Sequence, residues 1–293
     1  MCAQAVRYEF GNTLQSLEEV ALRLEASIAA VRADPSAESV RHLRACGRRV
    51  SAQIKLVDIS KPQWTQKHVA KGLRRLLKKV DQASGRVRQI DAQRELLEPG
   101  TPSRMTKRSG LGRQHVCSKS SHQLVEHERR HLLGRLERER KRENVELRHC
   151  LKRVQKPLLK RLARLTAALR DEPSAPLTES SLFRLVSTWF MDKVKAAHPT
   201  EEDSARRLHK IRKAAKTARY MAETSHGPRL QRLAAALKSI QDAGGAWHDT
   251  LQLHSSVGRV FGNGSALSRS INDAKQHADM DYRQIVLKFR LAR

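Results

Sequence analysis

At 293 residues the chain can form one large domain or two small ones, each with its own core, and its 58 Lys+Arg against 30 Asp+Glu leave a net charge of +28. A solvated surface needs no such excess, and self-repulsion opposes compaction, so the balance points to a polyanionic partner: nucleic acid, inorganic polyphosphate or an anionic membrane. Aromatics make up only 4% of the chain and hydrophobics 39%, so the core must come from Leu, Val and Ala, which favours helices; no apolar run approaches the ~18 residues of a membrane-spanning helix.

Alternating apolar–polar runs, the mark of strands, are scarce, and the periodicity predicts helices throughout. The first, about 12–33, carries Leu14, Leu17, Val20, Ala21, Leu24 and Ile28 on one stripe and ends at Pro35. Glu9, Glu18 and Glu19, with no unbroken apolar region, argue against a secretory signal. Ser36 can cap the second helix, which runs to about Val57 with Leu43, Cys46, Val50, Ile54 and Val57 at helical spacing. A third helix, about 63–97, faces Val69, Leu73, Leu76, Leu77, Val80 and Val87 one way and Lys71, Arg74, Arg75 and Lys78 the other.

The stretch from about 100 to 121 is rich in Gly, Ser, Lys and Arg without periodicity and reads as a flexible basic loop. A very polar helix follows, about 122–151, continuing past a kink at Pro157. From Arg104 to Arg161 the chain carries 18 Lys+Arg and 6 Asp+Glu. Pairs at helical spacing, Glu137 with Lys141 and Glu139 with Arg142, mark much of it as a solvated, salt-bridged face. DEPSAP, 171–176, is the expected boundary between halves 1–171 and 172–293. The second half reads as four more helices, about 178–197, from after Pro199 to 224, 229–254, and a last one after the glycine-rich turn 262–264. The four cysteines, Cys2, Cys46, Cys117 and Cys150, form no CxxC pair; they fit a reducing, cytoplasmic compartment, with Cys46 a buried free thiol.

Two strings imitate enzyme signatures. HERRH, His127 to His131, places two histidines on one helix face as a zinc site would. Arg129 and Arg130 between them would repel Zn²⁺ or need burial, and the helix runs on as RLERERKREN instead of turning to deliver a third ligand. ERERK, Glu137 to Lys141, fits the ExExK of triphosphate tunnel enzymes, but that motif works on a strand, and helical spacing scatters its side chains. No phosphate-binding loop, dinucleotide fingerprint or nucleophile–histidine set stands out, so no catalytic residue, metal or cofactor is expected.

The strongest pattern occurs twice. LHKIRKAAKTARY, Leu208 to Tyr220, puts His209, Arg212, Lys216, Arg219 and Tyr220 on one helical arc, opposite Ile211, Ala214, Ala215, Ala218 and Ala222. VRHLRACGRRV, Val40 to Val50, superposes on it, with Arg41, Arg44 and Arg48 over His209, Arg212 and Lys216, and Lys55 extending the face. Aligning Gly85 on Gly245 puts Lys238 over Lys78, His248 over Arg88 and Asp249 over Gln89. Two copies in register suggest an internal duplication. Arg offers phosphate a bidentate fork and Lys a point charge, and their spacing of about 5 Å per turn suits a linear, flexible polyanion.

LHKIRKAAKTARY followed by LKSIQDAGGAWHD resembles the second-half pattern of the conserved histidine α-helical domain (CHAD) family, His-x-x-Arg-x-x-x-Lys-x-x-Arg-Tyr and then Gly-x-x-His-Asp. Arg44, Arg48 and Arg49 fit the first-half pattern; Arg41 stands for its His beside His42, Gln89 for its Asp and Ser51 for an Arg. The resemblance implies an all-α fold of two four-helix bundles related by a pseudo-twofold, with a basic groove between them that binds inorganic polyphosphate without catalysis. By position, Arg41, Arg44, Arg48, Arg49, Lys55, Lys71, Arg74, Lys78 and Arg88 would line one wall, and His209, Arg212, Lys216, Arg219, Tyr220, Lys238 and His248 the other. It also implies association with cytoplasmic polyphosphate granules. The alternative is a helical protein binding nucleic acid non-specifically, as a weaker polyanionic partner; three Trp, three Tyr and five Phe give few stacking platforms for it.

Overall fold

A computed structural model of the chain describes residues 11–61, 67–98, 119–171, 177–197 and 204–291. All regular structure among them is helical: α1 (Gly11–Ala33), α2 (Ala37–Ser60), α3 (Lys67–Leu97), α4 (Lys119–Arg170), α5 (Glu179–Ala196), α6 (Ser204–Ala222), α7 (Pro228–Phe261) and α8 (Ala266–Leu291). None is long and apolar enough to cross a membrane. The expected basic loop lies outside the described residues over 100–118, and residues 119–121 already belong to α4. Residues 172–176 of the expected boundary, and Cys2 and Cys117, also lie outside them.

Local chemistry sets the helix ends. Ser36 caps α2, its hydroxyl accepting from the Ser39 N–H at 3.1 Å, and Thr178 caps α5 by accepting from Ser181 N–H at 3.2 Å. The Glu179 carboxylate accepts from the Arg229 N–H at 2.8 Å and so caps α7. α7 outruns the expected end at 254 and stops at Gly262, whose φ of 85° suits glycine and ends a helix. The expected kink at Pro157 does not interrupt α4, which is helical on both sides of it. Pro157 deprives the Arg153 carbonyl of one donor. The buried row Leu147, Leu151, Val154, Leu158 and Leu162 carries the helix past that point.

The chain divides into two compact units: residues 1–85 with 146–238, and residues 86–145 with 239–293. Each draws on both sides of residue 171. In unit 1, α1 packs on α2, α2 on α6, and α5 on α6. Leu24, Ile28, Leu43, Val50, Leu73, Leu151, Phe190 and Ile211 are among its buried side chains. In unit 2 a core of Ile90, Leu97, Leu132, Leu136, Leu253, Val257, Leu267 and Ile271 joins α3, α4, α7 and α8, and the Trp247 and Tyr282 rings pack 5.7 Å apart.

Candidate functional site

The site grows from the packing of α6. Its inner face is Ile211, Ala214, Ala215, Ala218 and Ala222, all buried, and alanines let a helix approach its neighbours closely. α2 packs on α6, and its own apolar stripe of Val40, Leu43, Cys46 and Val50 is fully buried. Two amphipathic helices packed this way bring their basic margins together.

The result is a cation cluster shared by α2, α3 and α6. Arg44 reaches α3, its Nη1 donating to the Asp81 carbonyl at 2.7 Å and the Ser84 hydroxyl at 3.1 Å, and its Nη2 lies 3.4 Å from the Asp81 carboxylate. Only 12% of its side chain is exposed. Gly85 makes room for it: a Cβ there would meet Arg44 Nη1 at 3.0 Å. Arg48 Nη2 lies 3.3 Å from the same carboxylate.

From α6, Lys216 faces this group. Burial pushes its ammonium down to about 6; Arg48, Arg212 and Arg44 push the same way, and Asp81 opposes them. His209 is driven down to about 4, by burial first and then by Arg212, Lys213 and Lys216. Three guanidiniums, the Lys216 amine and a histidine thus crowd one half-buried locus, with the Asp81 carboxylate among them. Such a locus favours an anion that supplies several oxygens at once.

A second group continues it. Tyr220 is 6% exposed, so its ring is not an open ligand contact. Instead the guanidiniums of Arg219 and Arg49 lie 4.5 Å and 5.3 Å from its centroid. Glu223 ties the same two arginines, 3.2 Å from Arg219 and 3.4 Å from Arg49. Tyr220 and Glu223 therefore orient cations contributed by α6 and α2.

The other expected residues divide. Arg74 is bound to Asp58 of α2. Lys55 is half-buried, and Arg41, Lys71, Lys78 and Lys238 are exposed in unit 1. Arg88 and His248 belong to unit 2, where Arg88 pairs with Glu95 at 3.4 Å and His248 lies against Trp247.

The enzyme-like strings of unit 2 have structural duties. Glu128 of HERRH accepts from the Leu267 N–H at 2.8 Å and caps α8, and His131 packs edge-on against Phe261. Glu137 of ERERK pairs with Arg94 at 2.9 Å. Among the described residues no group of three or more His, Cys, Asp or Glu is arranged to hold a metal ion.

Sequence reasoning followed cations and missed Asp81, Ser84 and Glu223. The signal was there for Asp81: it is the acid within the basic stretch KKVDQASGRVR, one helical turn before Gly85.

The all-α fold thus pairs two amphipathic helices, α2 and α6, so that their basic margins converge. The chain belongs to the CHAD domain family, whose pattern it matches over residues 15–257. The crystal structure of the CHAD domain from the plant Ricinus communis resembles it with a TM-score of 0.61 at 15% identity, over 94% of this chain and 86% of that one. PptA from Streptomyces chartreusis resembles it with a TM-score of 0.59 at 18% identity, over 97% and 98%. At these identities the likeness concerns the fold alone. No curated protein matches the chain.

Proposed function

We propose that the protein binds inorganic polyphosphate non-catalytically on the basic surface of α2, α3 and α6, and through it associates with polyphosphate granules. One observation carries this reading: Lys216 sits half-buried among Arg44, Arg48 and Arg212, with a carboxylate, Asp81, beside the two arginines of α2. Desolvated cations so close together are held apart from their preferred hydration at a cost that a chain of phosphates offsets. A thin, flexible anion can enter between half-buried side chains; a duplex, far wider than a single phosphate chain, is limited to their rims. Family membership supports the same ligand.

The test is binding of long-chain polyphosphate in competition with duplex DNA at about 0.15 M salt. The double variant Arg48→Gln, Lys216→Gln leaves Arg44 bridging α2 and α3. It should retain its helical circular dichroism and lose about a hundredfold in polyphosphate affinity, from two charged hydrogen bonds. Duplex DNA should fail to displace polyphosphate from this surface. A folded double variant with wild-type affinity would sink the assignment.

A further inference from the structure

α4 carries two different kinds of charged surface. Up to residue 143 it is laced with acids that are engaged: Glu126 with Arg129 and Arg130, Glu137 with Arg94 and Lys141, Glu143 with Arg86, and Arg140 with Asp91. That is the salt-bridged face expected from sequence. From 147 to 170 the helix has eight Lys+Arg and no Asp or Glu. Within unit 1 some of these arginines are engaged: Arg148 donates to the Ala33 carbonyl at 3.1 Å, Arg161 lies over Gly72, and Arg170 pairs with Glu18.

Five others are different. Lys152, Arg153, Lys156, Lys160 and Arg164 are exposed, and among the described residues none has an ion-pair or hydrogen-bond partner. At about 100° per residue they cluster on one arc, roughly opposite the buried row Leu147, Leu151, Leu158 and Leu162. The stripe therefore faces solvent directly away from the core beneath it. It is about 18 Å long, with cations every three to four residues, about 5–6 Å apart.

We propose that this stripe is a second polyanion site, a track for the sugar–phosphate backbone of duplex nucleic acid. A helix ridge is convex, so it offers no cleft to desolvate a thin chain, and a flexible chain would lose conformational freedom on it for few contacts. A duplex is already stiff and presents phosphates at high linear density, with counterions to release. A membrane surface favours a broad basic patch or an apolar wedge. This surface is a single line, and no large exposed hydrophobic side chain of the described residues falls within 147–170. The inference is independent of what the α2–α6 surface binds.

The quadruple variant Lys152→Gln, Lys156→Gln, Lys160→Gln, Arg164→Gln changes only exposed residues and should keep the wild-type circular dichroism and melting curve. The probe is a DNA duplex of about 20 base pairs, two helical turns, titrated into the full chain at several salt concentrations. Duplex affinity should fall about tenfold or more, and the log–log salt slope should flatten by about 3. Polyphosphate affinity should change less than about twofold. Undiminished duplex binding by the folded variant overturns the proposal. So does a parallel loss of polyphosphate binding, which would make the stripe part of that surface. Vesicles of phosphatidylserine and phosphatidylcholine provide the remaining comparison, and stripe-dependent capture by them with unchanged duplex binding also overturns it.

Discussion

Lys216 converts the geometry of the cation cluster into a pH dependence that can be measured. Its ammonium is held at about 6 in the empty protein, by burial and by Arg48, Arg212 and Arg44. At pH 8 the amine is therefore mostly neutral. Docking a phosphate chain beside it brings oxygens that favour the charged form, so its pKa rises and binding takes up a proton. Affinity should then climb as pH falls, by about tenfold per unit while the free amine is neutral, and level off below about 6. Between pH 8 and pH 6 a single such group tightens binding about fiftyfold. Titration calorimetry of long-chain polyphosphate at constant ionic strength, in two buffers of different ionisation enthalpy, reads both the affinity and the proton uptake. Lys216→Arg keeps the cation at every pH and should flatten the profile. His209, held at about 4, contributes only at the acidic edge. Stability runs the other way: between about 6 and the ordinary lysine value the folded chain holds fewer protons than the unfolded one. Folding is thus favoured as pH rises through that window, by at most about 1.4 kcal/mol per unit. A flat affinity profile in the wild type, or an unchanged slope in Lys216→Arg, refutes the reasoning.

Two further outcomes follow from particular contacts. Asp81 occupies the position of an internal anion, 3.3–3.4 Å from Arg48 and Arg44. Asp81→Asn keeps the shape and the carbonyl contact to Arg44 but removes the competing charge, so polyphosphate should bind about two- to fivefold tighter, the worth of a partly exposed ion pair; weaker binding, measured at one salt concentration, would show that Asp81 only positions the arginines. Glu128→Ala removes the cap on α8 and should cost about 1 kcal/mol and about 2–4 °C in melting temperature, with polyphosphate affinity unchanged. An unaltered melting curve would mean that this end of α8 does not depend on Glu128.

What could be read from the sequence was what obeys the helical period. The buried stripe of α2, the alanine face of α6, the Ser36 cap and the doubled basic pattern all depend on neighbours within a turn or two, and each lies where the residues put it. Choice of partner is not local, and there the sequence offered little beyond the acid at Asp81 in a basic stretch. Arg44 and Arg48 look alike along α2, yet Arg44 is held by Asp81 and Ser84 through α3 while Arg48 is left more open, 28% exposed against 12%. Tyr220 shares the polar arc of α6 by angle, but α2 brings Arg49 over its ring and helps bury it. Pro157 does not end α4, as the leucines that follow it in the sequence foretell. The alanine face of α6 shows why fold and function cannot be separated here. Larger residues at Ala214, Ala215 and Ala218 would hold α6 farther from its neighbours, and Lys216 would then sit in water at an ordinary pKa. The close packing that reads as a structural signal in the sequence is what desolvates the cations, and desolvation is what makes that surface more than a solvated charge run.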